Sequence, residues 1–156
     1  MEELYQTIVI KQIISIEFSK NKLDMSYTFI QYARDHIEGK CRSEGYIRPK
    51  SCKIISYTAP IMKDNDCIYE VCYECQACNP EIDNIYSCRI MKLAKIGIRA
   101  VISTTHNPIV FYISREHNST INFEDYNEGD QINVKIIGKR FQLNDSHIEV
   151  IAEIMK

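Results

Sequence analysis

The run "EVCYECQACNP", Glu70 to Pro80, constrains this chain most. It holds Cys72, Cys75 and Cys78 at C-x-x-C-x-x-C spacing, which a zinc or iron–sulfur site can use. The same letters also read as a strand. Strand alternation sends Val71, Tyr73, Cys75 and Ala77 to one face, and Cys72, Glu74, Gln76 and Cys78 to the other. Three successive thiols then do not converge on one ion. Zinc ribbons also set their pairs on tight, Gly-containing turns, and this run has no Gly. The strand reading is preferred, with buried cysteine acting as a small hydrophobe, and no metal ligand is assigned. The competing reading is a small metalloprotein that recruits Cys67 or Cys88 as a further ligand.

Other segments surround this strand with a mixed pattern. "TIVIKQIISIEF" has the period of a strand, and "MSYTFIQYARDHI" that of a helix after Asp24 as N-cap. Met25, Phe29, Tyr32, Ala33 and His36 or Ile37 stand at helical spacing on it. "SCKIISYT" is β-rich and "TAPIMKDND" reads as a loop. The first half is thus β-α-β-β. The second half is strand-like throughout: "IYSCRIMKLA", "GIRAVIS", "PIVFYIS", "QINVKIIGKRF" and "SHIEVIAEIM", with a bend at Lys95–Gly97. A long polar connection, "REHNSTINFEDYNEGD", precedes the last two. Five short strands so arranged suit an OB-fold β-barrel. The fold class is α+β, with domains 1–79 and 80–156 meeting at "CNPEIDN", where Pro80 cannot donate to a ladder.

The 156 residues can build one compact domain or two small ones. The net charge of -2 excludes a chain-wide basic footprint for nucleic acid, so such binding must rest on local patches. Lys92, Lys95 and Arg99 form one acid-free patch. Tyr112 and Arg115 flank it in "FYISREH", and Lys135, Lys139 and Arg140 form another. These eight are the candidate RNA-binding residues; an ordinary solvated face is the plain alternative. The histidines, His36, His106, His117 and His147, fit no catalytic pattern, and no Gly-rich phosphate loop is present. No catalytic residue and no cofactor are assigned. The N-terminal stretch reads as neither signal nor transit peptide, and no apolar run is long enough to cross a bilayer. Seven cysteines without a secretory signal point to a reducing, intracellular setting.

Several stretches together carry a family likeness. They are "IEGKC" followed by "GYI", the run ending at Pro80, the spacing from Pro80 to Gly97, "YISREH", "INVKIIG" and "IEVIAEI". In this order they resemble the stalk subunit of multisubunit DNA-directed RNA polymerases, the seventh subunit of the eukaryotic enzyme and the E-type subunit of the archaeal one. The chain departs from that pattern in its short loop at Thr58–Asp66 and in "STTHNP", where the family has Gly-Pro. It is also similar to the reduced versions carried by large DNA viruses. The resemblance implies a non-catalytic subunit whose first domain docks on the large polymerase core subunits near the clamp. Glu44, Gly45, Tyr46, Pro60, Ile61, Met62 and Lys63 would form that contact. It implies nascent RNA as the second domain's partner, a second stalk subunit as a further candidate partner, and no membrane. The location would be the nucleus or, for a viral version, the host cytoplasm and virion. The alternative is a stand-alone OB-fold RNA-binding protein.

Overall fold

A computed structural model describes residues 4–102 and 108–155. His106, and the part of "STTHNP" at residues 103–107, lie outside the described residues. The elements are β1 (Gln6–Glu17), α1 (Ser26–His36), β2 (Cys41–Arg42), β3 (Gly45–Ile47), β4 (Lys53–Tyr57), β5 (Ile61–Lys63) and β6 (Asp66–Cys78). They continue with β7 (Ile85–Ala94), β8 (Gly97–Val101), β9 (Ile109–Ser114), β10 (Gln131–Arg140) and β11 (Ile148–Ile154). The chain is therefore mixed and mostly strand. It divides into two compact units: Tyr5–Lys40 with Ile47–Ala77, and Cys41–Tyr46 with the chain from Cys78 onward.

In the first unit β6 is the central strand. It pairs antiparallel with β1, from Gln6 opposite Ala77 to Glu17 opposite Asp66, and with β4 and β5 on its other edge. The alternation read from the sequence is present: Val71, Tyr73, Cys75 and Ala77 are all buried. On β1 the same period buries Ile10 and Ile14 and leaves Val9 and Ile13 in water. The helix lays Met25, Phe29, Ala33 and Ile37 into this core. Phe29 meets Tyr57 and Tyr69 edge to face, each at 5.0 Å, and its carbonyl accepts the Tyr73 hydroxyl at 2.7 Å. The N-cap position is Met25 rather than Asp24. Asp24 still accepts the Ser26 N–H at 2.9 Å, which holds its carboxyl below the usual value.

Three features differ from the sequence reading. The first half has more strands than β-α-β-β, because β2, β3 and β5 span only two or three residues, too few for alternation to register. "TAPIMKDND" is not a plain loop. Its β5 pairs back on β6 through Asp64–Asn65, with Asp64 in the left-handed region at φ 55° that Asp tolerates. The division of units also departs from a single cut at residue 79. The Cys41–Tyr46 hairpin belongs with the second unit, where the Cys41 N–H donates to the Asp145 carbonyl at 2.8 Å and the Asn144 N–H to the Cys41 carbonyl at 2.9 Å. Bonds between residues so far apart in the chain leave no local pattern.

The second unit is a closed five-stranded barrel in the order β10-β11-β9-β8-β7. Neighbours are antiparallel except β11 and β9, which run parallel. The connectivity is OB-like. Inward positions such as Ile90, Ala100, Phe111, Val134 and Val150 are fully buried. The polar connection carries one short 3-10 turn, Phe123–Asp125, whose Phe123 is buried. Asn118 ties that connection to the barrel. Its amide donates to the Ser114 carbonyl at 2.8 Å, and its Oδ1 accepts the Ile154 N–H at 2.8 Å.

Candidate nucleic-acid interface

Three of the eight candidate RNA-binding residues lie in one row across the barrel. Lys92 on β7 stands opposite Arg99 on β8, and Arg99 stands opposite Tyr112 on β9. All three side chains are exposed, Tyr112 at 40%. The row continues onto β11, where Ile151 stands opposite Tyr112. Two cations and an aromatic ring, spaced one strand apart, match what a single strand offers: phosphates in sequence and a base face to stack.

The row borders a cavity of about 320 Å³ lined by Lys92, Ala94, Ile96, Ile98, Arg99 and Tyr112, among others. Its floor is apolar, and Ile96 projects from the β7–β8 turn at 83% exposure. Gly97 lets β9 approach β8 closely, since a Cβ there would fall on the Ile113 carbonyl oxygen. A second cavity of about 290 Å³ lies on the other side of Arg99, between Met91, Val101, Val110, Ser146 and His147. Arg99 thus lines both hollows. The composition of the charged patches gives no sign of Ile96, Met91, Ser146 or His147. An exposed Ile inside "KIG" is the available signal for the first.

Four of the remaining five candidates are engaged elsewhere. Lys135 pairs with Glu153 at 3.1 Å and Arg140 with Glu149 at 3.4 Å. Such half-exposed pairs add little stability, but each carboxylate offsets the field that a phosphate would meet. Lys139 donates to Asn79 Oδ1 at 2.7 Å. Arg115 lies over the Phe123 ring at 4.9 Å. Lys95 is exposed in the turn beside Ile96. None of the ion pairs among the described residues involves Lys92, Lys95 or Arg99.

The residues assigned to docking fall in both units. Gly45 and Tyr46 are buried. Gly45 has φ 119°, and a Cβ on it would collide with the Cys78 carbonyl oxygen. Burial also pushes the Tyr46 phenol up. These two shape a turn rather than present a surface, and Glu44 pairs locally with Arg42 at 3.4 Å. Pro60, Ile61, Met62 and Lys63 are exposed, Ile61 at 70%.

In the cysteine run, Cys75 faces the core of the first unit and Cys72 is only half-buried, while Cys78, expected on the same face as Cys72, is buried and belongs to the second unit. Among the described residues no group of His, Cys, Asp or Glu side chains gathers as a metal site. No helix among them is long and apolar enough to cross a membrane. The chain matches no protein-family model and no curated protein.

Proposed function

We propose that this chain is a non-catalytic stalk subunit of a DNA-directed RNA polymerase, whose barrel contacts nascent RNA as it leaves the enzyme. One observation carries the RNA part. In an OB fold, oligonucleotides bind on the second and third strands and on the loops joining strands one to two and four to five. Here those parts are β8, β9, the Lys95–Ile96 turn and the segment holding Ser146 and His147. Arg99 and Tyr112 lie on these two strands, Lys92 stands beside Arg99 on β7, and both cavities border the same face. Arg99 and Lys92 would take phosphates, and Tyr112 would stack on a base.

The polymerase part rests on the resemblance in sequence, with the exposed Pro60–Lys63 hairpin as the contact to the large core subunits. On this reading the work is done inside the cell, in the nucleus or, for a viral version, in the host cytoplasm and virion. The test is affinity capture of the tagged chain from its native source. Recovery of the large polymerase subunits, abolished by Ile61→Asp with Met62→Asp, is the expected result. RNA binding with no polymerase recovered would favour a stand-alone OB-fold RNA-binding protein instead.

A further inference from the structure

Cys52 sits just ahead of β4, and the register of β4 on β6 runs through it. Lys53 stands opposite Glu74 and Ile54 opposite Tyr73, so the next pairs are Cys52 with Cys75 and Ser51 with Gln76. The Gln76 N–H donates to Ser51 Oγ at 3.2 Å, in keeping with that register. The Cys52 N–H donates to Glu38 Oε2 at 2.9 Å, not to the carbonyl of Cys75. The two cysteines therefore have the non-hydrogen-bonded arrangement, in which opposite Cα atoms are about 4.5 Å apart. A disulfide needs roughly 4.4–6.8 Å. Both side chains enter the same core, Cys52 at 8% exposure and Cys75 at 1%, and the Cys75 thiol is near enough to push the Cys52 thiol up.

We propose that Cys52 and Cys75 form a modification site, a cross-strand dithiol that takes a small or protein disulfide as oxidant and closes into a bond tying β4 to β6. Cys52, the more exposed, loses its proton and attacks one sulfur of the incoming disulfide, releasing one thiol. Cys75 then loses its proton and attacks the Cys52 sulfur, releasing the second. Two protein thiols are oxidised by two electrons, the incoming disulfide becomes two thiols, and the two protons go to the leaving sulfurs. The Cys75 thiol, burial and the Glu38 carboxylate all push the Cys52 thiol above its ordinary value. The site is accordingly slow, answering a sustained change of redox poise and not a brief one.

The full chain, incubated in glutathione buffers stepped from reduced to oxidised, is quenched, alkylated in denaturant and digested without reduction. Cys52–Cys75 should be the dominant internal link, with two of the seven thiols no longer open to alkylation. Cys72→Ser, on the opposite face of β6, should keep the link. Oxidation that yields only glutathione adducts or other internal links would overturn the proposal. So would full retention of thiols at a poise that oxidises the same chain unfolded in guanidinium. The wild-type peptide map decides the matter without requiring that any cysteine variant fold.

Discussion

Lys92 stands opposite Arg99 across the β7–β8 ladder because the register shifts by one residue after Ile90. Alternation buries Tyr86, Cys88 and Ile90, and an unbroken ladder would turn Lys92 inward with them. The extra residue, Met91, absorbs one step and brings Lys92 out beside Arg99. Bulges commonly re-aim a side chain in this way. The cationic row thus depends on one irregularity in one strand.

Tyr112 should act by stacking. Tyr112→Ala should weaken single-stranded RNA binding by about 1–3 kcal/mol, the usual worth of one stacked base, while Tyr112→Phe should keep most of the affinity. Fluorescence anisotropy with a labelled oligonucleotide reads both. Equal losses would show that the hydroxyl matters and the ring face does not.

Gly97→Ala should destabilise the barrel, because the new methyl would meet the Ile113 carbonyl oxygen across the β8–β9 pair. A cost of roughly 1–3 kcal/mol fits a backbone displaced at one ladder position. A thermal midpoint unchanged by the substitution would contradict the close approach.

Asn118→Ala should remove two tethers of the polar connection at once. The Ile154 N–H loses its acceptor and the Ser114 carbonyl its donor, in a site only 5% exposed. Unsatisfied buried groups cost about 1–3 kcal/mol. The urea midpoint should fall, and proteolysis within residues 115–130 should quicken. Stability equal to wild type would rule out the tether.

Alkali should destabilise the fold through its buried thiols. Burial pushes Cys88 and Cys78 up to about 12 and Cys41 to about 11, against an ordinary value of 9.0. The folded chain then holds these protons where the unfolded chain releases them. Their stabilising contribution is fully present below pH 9.0 and is lost as pH rises toward 12. Urea unfolding repeated from pH 8 to 11, each about a unit apart, should show the decline, and Cys88→Ala should make it shallower. A flat profile would contradict the burial.

Periodicity makes the long elements legible. β1, β6 and α1 each have one buried face, so their alternation or helical spacing is written in Ile, Val, Tyr and Phe. The five barrel strands are legible for the same reason. What the sequence hides is non-local or irregular. β2 and β5 are too short to repeat, and the Cys41–Tyr46 hairpin finds its partners near Asp145. Counting Lys and Arg finds Lys92 and Arg99. It cannot tell them from Lys135 and Arg140, whose partners Glu153 and Glu149 stand on the adjoining strand. Alternation puts Cys75 on its buried face, but nothing in the cysteine run reveals that Cys52 stands opposite it.

The central claim, that the β7–β8–β9 face holds RNA, is tested most directly by filter binding of a single-stranded RNA across a salt series. Lys92→Glu with Arg99→Glu should weaken binding strongly. It should also lower the slope of log affinity against log salt by about 1.4, roughly 0.7 for each phosphate of a single strand that is no longer neutralised. Lys135→Gln with Arg140→Gln, on pairs already neutralised, should change little. Intact binding and slope in the Lys92–Arg99 variant would contradict the account.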